Sequence, residues 1–98
     1  MSLKPSGELT VYRLVQEALT NVAKYAQARQ VVVTLRPRGA LAEVDVHDNG
    51  SGFDTQVARP STHGLLGMRY RVEAEGGRMS IQSTPGTGTR IQATLPQI

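Results

Sequence analysis

The amino-acid sequence predicts an α+β fold, a two-layer sandwich in which helices pack on one face of a mixed, mostly antiparallel sheet. Three observations predict this class. A long segment carries apolar residues at helical spacing, two pairs of β-branched segments are joined by turns that contain Gly and Pro, and a short helical segment separates the pairs. The 98 residues suit one domain with a single modest core.

The two helices are predicted from their periodicity and from their boundary residues. The first covers about residues 8–28, where apolar residues recur every three or four positions and form one face. Ser6 is suited to cap this helix, because its hydroxyl can accept a free backbone N–H. The second covers about residues 64–74 and ends at Gly76-Gly77, since glycine takes the backbone conformation that closes a helix.

The strands are predicted as two hairpins. Residues 30–36 are rich in β-branched side chains and turn back into a strand at residues 41–48. The closing hairpin joins residues 79–83 to residues 89–95 through a turn of Gly, Pro and Thr. Residues 49–63 show little periodic pattern, and a loop of this length in a small domain is often functional.

Composition excludes several classes of function. Without cysteine, the chain forms no disulfide and no thiolate metal site, and no apolar run approaches the ~20 residues of a membrane span. A formal net charge of +3 suits an anionic partner. Because the basic residues are scattered and aromatic residues are few, we expect a small phosphorylated ligand or an acidic partner protein rather than nucleic acid.

Asp48 is the first candidate site residue. Residues two apart in a strand share a face, so Val44, Val46 and Asp48 point together into the core. A buried carboxylate needs hydrogen-bond donors, and Gly50 and Gly52 allow a flat group to lie against the backbone. This arrangement suits the amino group of a purine. The alternative is an ordinary Asp-Asn-Gly turn.

The first helix carries a second candidate set. Glu17, Asn21 and Lys24 are spaced by four and three residues, so they form one stripe beside the apolar face. Asn21 can give Mg²⁺ an oxygen ligand, Lys24 can meet a phosphate, and Glu17 can orient a group or accept a proton. The alternative is a solvated helix face with casual charge spacing.

Two further positions complete the candidate site. Gly64 is predicted to open the second helix, where free N–H groups and the helix dipole suit phosphate. The alternative is that Gly64 simply ends the loop and that Gly67 allows close packing. Thr89 has the same parity as the core residues of the last strand, so it points inward like Asp48. The two polar groups then share one cavity, unless Thr89 bonds its own hairpin backbone.

Taken in order, these segments resemble the ATP-binding domain of sensor histidine kinases, a Bergerat-fold member of the GHKL ATPase superfamily. Residues 17–26 resemble the N box, residues 48–54 the first glycine box, residues 64–69 the second, and residues 84–89 the final Gly-Thr element. The resemblance extends from about residue 8 to residue 96. The Gly-Leu-Leu-Gly-Met-Arg form and the short lid are similar to the nitrate-sensor and lipid-desaturation-sensor type of kinase.

The resemblance implies ATP and Mg²⁺ as cofactors and assigns roles to residues. Asp48 receives the adenine amino group with support from Thr89. Asn21 holds Mg²⁺, and Glu17 assists phosphoryl transfer, directly or through a water on the metal. The resemblance also places Lys24 and Tyr25 near the phosphates. Tyr25 is a departure from the family pattern, because its position is often His in this type of kinase. The implied nucleotide-binding set is Asn21, Lys24, Tyr25, Asp48, Gly50, Gly52, Gly64, Leu65, Gly67, Met68 and Thr89.

The resemblance implies a catalytic domain at residues 8–98, preceded by a leader at residues 1–7. The domain would pass the γ-phosphoryl of Mg-ATP to a histidine on a separate helical dimerisation domain, and onward to a response regulator. Neither His47 nor His63 has the setting of that phosphoacceptor. We expect a monomeric isolated domain and a cytoplasmic location, with membrane anchoring of the parent kinase left open.

Three alternatives stay open from the sequence. The first is an ATP-driven clamp or chaperone module of the same superfamily. The short lid argues against it, because such modules have longer lids. The second is a serine kinase that acts as an anti-sigma factor. The third is a basic α+β interaction domain that binds no nucleotide.

Overall fold

The structure is a computed structural model that describes residues 2–23, 29–51 and 60–98, with side chains excluded at residues 60–63. The elements follow the predicted order of helix, hairpin, helix and hairpin. In chain order they are α1 (Pro5–Asn21), β1 (Val31–Arg38), β2 (Leu41–Asp48), α2 (Pro60–Ala74), β3 (Arg78–Thr84) and β4 (Gly88–Pro96).

The four strands form one sheet in the order β1-β2-β4-β3. All three pairings between them are antiparallel. Apolar residues of both helices meet the even-numbered residues of β2 and the odd-numbered residues of β4, so both helices lie on one face. This confirms the predicted α+β sandwich. The core cluster comprises Val11, Leu14, Ala18, Val44, Val46, Leu65, Met68, Val72, Ile91, Ala93 and Leu95.

The first helix begins earlier than predicted. Lys4 is the N-cap residue and Pro5 lies in the first helical turn, where its fixed φ and missing N–H carry no cost. The prediction that Ser6 caps α1 is therefore wrong; its hydroxyl instead donates to Glu75 Oε2 at 3.1 Å. Residues 24–28 lie outside the described part of the chain, so the predicted end of this helix cannot be compared.

The second helix also begins at a proline. It starts at Pro60, so the prediction that Gly64 opens it is wrong, for the same reason that Pro5 opens α1. Its predicted end is confirmed. Gly77 N–H donates to Val72 O and Gly76 N–H donates to Glu73 O, both at 2.9 Å, while Gly76 has a φ of 84°. These are the two bonds of a Schellman motif.

β1 is an edge strand that the helices leave largely open. Val33 and Leu35 pair with core residues of β2, yet they remain 42% and 48% exposed. Pro37 lies within this strand, which extends further than predicted and turns only at Gly39, where φ is 61°. Proline is tolerated there because one side of an edge strand needs no ladder hydrogen bonds.

Candidate functional site

Asp48 and Thr89 are direct cross-strand partners at one end of the sheet. Asp48 is 5% exposed and Thr89 is 8% exposed, so both polar side chains are buried. Their inward direction is confirmed. Because opposed residues in an antiparallel pair have neighbouring side chains, the strand register alone brings these two polar groups to one place.

Asp48 has few donors for a buried carboxylate. Its Oδ1 accepts a hydrogen bond from the N–H of Gly50 at 2.8 Å, so the turn expected as an alternative is present. Among the described residues, this is the only hydrogen bond to the carboxylate. A buried carboxylate with one donor is unfavourable unless a further donor meets it. The carboxylate thus keeps acceptor capacity for a further donor, such as an amino group.

Thr89 is held by Ser83, which the sequence reasoning missed. The two hydroxyl oxygens lie 2.8 Å apart, and Ser83 Oγ also donates to Gly88 O at 3.1 Å. With the Ser83 proton directed at Gly88, the Thr89 hydroxyl donates to Ser83 and keeps its lone pairs as acceptors. Ser83 and Thr89 are paired residues of the closing hairpin, so the predicted hairpin could have placed Ser83 beside Thr89.

Two glycines of the β3–β4 turn fit closely against the segment that carries Asp48. Gly88 has a φ of 108°, and a Cβ there would collide with Asp48 O and lie 3.2 Å from Asn49 Cα. Gly86 N–H donates to Ser51 O at 2.6 Å. The final Gly-Thr element and the first glycine box therefore form one packed unit. Gly50 is buried within it, while Gly52 lies outside the described residues.

Asn49 is a second residue that sequence reasoning did not single out. Its Oδ1 accepts hydrogen bonds from the N–H groups of Arg29 and Gln30, both at 2.9 Å. Its own N–H donates to Gln30 O at 3.2 Å. Asn49 thereby ties the chain that enters β1 to the end of β2, directly beside Asp48. An Asp-Asn-Gly turn was the expected alternative here, but not a link between two strands.

Glu17 and Gly64 come together where α1 meets α2. A Cβ at Gly64 would collide with the Glu17 carboxylate, so a larger residue at this position would displace the end of that side chain. Gly64 is the fifth residue of α2, and its N–H already has an intrahelical acceptor. The free helix-end N–H groups belong to residues 61–63 instead. Glu17 of the N box and Gly64 of the second glycine box are thus adjacent, a contact that the sequence analysis did not predict.

Asn21 ends α1 with an unsatisfied amide. Its Nδ2 is buried and has no hydrogen-bond partner among the described residues. The amide nitrogen can donate to an acceptor, or the amide oxygen can bind a cation. Both possibilities suit a site for a metal and phosphates. Arg69 Nε is the other buried side-chain atom without a partner in the described chain. Lys24 and Tyr25 lie outside it.

Leu65 and Met68 have side chains in the core, 2% and 6% exposed. Their side chains are therefore committed to packing against α1 and the sheet. At Gly67 an added Cβ would meet open space, so close packing does not explain this glycine. No group of three or more potential metal ligands occurs in the described part of the chain. A magnesium ion here would rely on Asn21, phosphate oxygens and water, which is usual for Mg²⁺.

The chain belongs to the family of histidine kinase-, DNA gyrase B- and HSP90-like ATPases, whose model matches residues 6–98. It is thus an ATPase domain of the GHKL class, as the motifs indicated. Histidine kinases occur among its relatives by name. No helix in the described ranges is long and apolar enough to cross a bilayer.

Three curated relatives show where the similarity lies. The chain is 38% identical to the signal transduction histidine-protein kinase/phosphatase DegS of Brevibacillus brevis, covering 91% of this chain and 23% of that protein. It is 35% identical to DegS of Bacillus subtilis, with 96% and 25% covered. It is 36% identical to the sensor histidine kinase LiaS of Bacillus subtilis, with 88% and 24% covered. The chain thus spans about a quarter of these relatives' length.

A solved structure supports the fold. The histidine kinase domain from the Erythrobacter litoralis EL346 blue-light activated histidine kinase superposes with a TM-score of 0.74 and 24% sequence identity. The match covers 90% of this chain and 43% of that one. At this identity the likeness shows the fold alone.

Proposed function

We propose that this chain is the catalytic module of a sensor histidine kinase, which binds Mg-ATP and passes the γ-phosphoryl to a histidine on a separate helical dimerisation domain. The observation that carries the proposal is the buried, cross-strand pair of Asp48 and Thr89, in which the carboxylate has one donor. Family membership and the names of the relatives favour a histidine kinase over a clamp, a serine kinase or a nucleotide-free module.

Adenine is the base that this pair would select. The carboxylate of Asp48 accepts hydrogen bonds, and adenine presents an amino group where guanine presents a carbonyl oxygen. The free lone pairs of Thr89 add a second acceptor beside it. Guanine would therefore place an acceptor against acceptors in a buried site, which is strongly unfavourable.

The phosphates would lie toward the junction of α1 and α2. There the Asn21 amide oxygen would hold Mg²⁺ while its unsatisfied Nδ2 would donate to a phosphate oxygen, and Glu17, which lies against Gly64, would help to orient the metal site. By resemblance, Lys24 and Tyr25 would contact the phosphates. Bound Mg²⁺ would neutralise charge on the phosphates. The chain's own contribution to transfer is then positioning and charge complementarity rather than covalent chemistry.

The proposed partners follow from the same assignment. A phosphoacceptor helical domain of the parent kinase would supply the histidine, and a response regulator would receive the phosphoryl group. Residues 8–98 would form the module, which would be monomeric when isolated and would work on the cytoplasmic side. We also propose that the parent kinase is of the nitrate-sensor and lipid-desaturation-sensor type.

Calorimetric titration with ATP, GTP and ADP tests the adenine assignment. We expect ATP and ADP to bind and GTP to bind at least about tenfold more weakly, since a lost buried hydrogen-bond partner costs about 1–3 kcal/mol. Asp48→Asn replaces an acceptor with a donor and should weaken ATP binding by about tenfold or more. Asp45→Asn is the matched control, because Asp45 lies on the same strand but pairs with Arg90 on the opposite face. Equal affinities for ATP and GTP would exclude the assignment.

A further inference from the structure

We propose that the uncovered face of the sheet binds an acidic peptide segment of a partner protein, in the groove between Arg38 and Arg78. This face lies opposite the helices. It is separate from the nucleotide site, and the inference does not depend on the proposed function.

The strand register organises this face into rows of side chains. Val44 points into the core, so its neighbour Glu43 points to the uncovered face. Arg36 of β1 pairs with Glu43 of β2, and Thr94 of β4 pairs with Arg78 of β3. Because Glu43 also pairs with Thr94, one row of polar side chains crosses the whole four-stranded sheet.

Glu43 fixes two arginines on this face. Arg36 Nε and Nη2 donate to its Oε1 at 3.1 and 2.7 Å, and Arg38 Nη1 donates to its Oε2 at 2.8 Å. The Glu43 side chain is 6% exposed, whereas those of Arg36 and Arg38 are 62% and 71% exposed. The arginines therefore cover the carboxylate while they face the solvent. Because Glu43 already holds both arginine side chains in place, a ligand that binds them pays a lower entropy cost.

A groove of about 360 Å³ lies between Arg38 and Arg78. Arg78 is exposed and has no acidic partner among the described residues. Glu43, the acidic residue of the lining, is already paired through both oxygens. The groove therefore presents cationic donors at both sides. Its remaining polar lining is Ser80, Gln92 and Thr94.

An acidic peptide is the occupant that fits these groups. The planar guanidinium of arginine binds a carboxylate through two parallel hydrogen bonds. A nucleic acid would be expected to use aromatic side chains between the basic ones, and the described strands place no Phe, Tyr or Trp on this face. The charged residues of the described strands on this face are four arginines and two acids, and both acids are already paired with arginines: Arg36, Arg38, Arg78 and Arg90, with Glu43 and Asp45. The face is therefore positively charged overall.

The test is a titration of hexaglutamate into ¹⁵N-labelled protein, followed by NMR at low and physiological salt. We expect saturating shifts at the backbone amides of Arg78, Ser80, Gln92 and Thr94, with affinity that falls as salt rises. Arg78→Glu should weaken binding at least about fivefold. Arg13→Glu carries the same charge change on an exposed residue of α1, and it should change the affinity less than about twofold.

A second variant and a second ligand keep the outcome decisive. Arg38→Gln leaves Arg36 on Glu43 and should weaken hexaglutamate binding about two- to threefold with the fold intact. Equal losses in Arg78→Glu and Arg13→Glu would show a general charge effect and overturn the proposal. Shifts confined to the helices would do the same. A short DNA duplex that binds these amides more tightly than hexaglutamate would assign the face to nucleic acid instead.

Discussion

Glu43 and Asp48 are both acidic residues of β2, and both are 5% exposed, but they point to opposite faces of the sheet. Glu43 accepts hydrogen bonds from two arginines through both oxygens. Asp48 accepts one, from the N–H of Gly50. Burial alone therefore does not distinguish a carboxylate that the fold satisfies from one that we propose binds adenine. The difference lies in whether the chain itself supplies the partners.

The same difference separates other polar groups in the molecule. The Asn49 side-chain oxygen accepts hydrogen bonds from Arg29 and Gln30, whereas the buried amide nitrogen of Asn21 has no partner within the described ranges. We expect substitutions of the satisfied groups to lower stability. If the proposed function holds, substitutions of the unsatisfied groups should lower binding or catalysis and leave stability nearly unchanged, because those groups have no partner in the described part of the chain to lose.

The largest expected effect is that of Asn21→Ala on phosphoryl transfer. Supplied with ATP, Mg²⁺ and the helical phosphoacceptor domain, the wild-type chain should label the histidine of that domain, and Asn21→Ala should reduce the rate at least about a hundredfold. Alanine is the better helix former by roughly 0.5 kcal/mol, so the melting temperature should not fall. Binding of ADP without metal should change little. Normal transfer by this variant would remove Asn21 from the metal site.

Gly88→Ala should be the most destabilising single substitution near Asp48. The positive φ strains any other residue, and the new Cβ would collide with the Asp48 backbone, so we expect a loss of about 2–3 kcal/mol in denaturant unfolding. Gly86→Ala is the matched control, because its φ is also positive but its Cβ would meet open space. It should cost about 1–2 kcal/mol. Equal losses in the two variants would show that backbone strain, and not the collision, limits this turn.

Glu43→Gln should lower stability in a pH-dependent way without affecting nucleotide binding. Hydrogen bonds from Arg38 and then Arg36 lower the pKa of Glu43 below its ordinary value of 4.5. Because the folded-state pKa is depressed, this stabilisation is complete above about pH 4.5 and is lost as the pH falls through the folded-state pKa. The stability gap between wild type and variant should therefore be larger at pH 7 than at pH 3.

Thermal melts at the two pH values check this, with Glu73→Gln as the control on an exposed position of α2. A gap that stays constant with pH would show that the arginine contacts do not favour the charged carboxylate. A loss of ATP affinity in Glu43→Gln would contradict the division between Glu43 and Asp48, the two buried acids of β2.

The smallest expected effect concerns Asn49. Asn49→Ala removes the acceptor for two backbone N–H groups and should cost about 1–2 kcal/mol in unfolding free energy. Asn49→Asp keeps an oxygen acceptor in the same place and should recover most of that loss. The chemical shift of the Gly50 amide, which reports the hydrogen bond to Asp48, should move in the alanine variant and stay near wild type in the aspartate variant.

Much of the site was predictable because it depends on local periodicity. The bounds of β2 agree with the prediction, and alternation along a strand is enough to aim Asp48 and Thr89 inward. Pairing of the closing hairpin would also have found Ser83 opposite Thr89. Both helices begin earlier than predicted, because Pro5 and Pro60 favour a first helical turn that precedes the periodic apolar residues.

The amino-acid sequence by itself determined the order of the elements, the inward direction of the polar groups at the strand ends and the GHKL motifs. Only the tertiary structure decided which buried acid of β2 is satisfied, that Gly64 lies against the Glu17 carboxylate, and that Asn49 links two strands. The physical reason is range. Periodicity and turn preference act between residues a few positions apart, whereas each of these contacts joins segments that meet only when the sheet and the helices have packed.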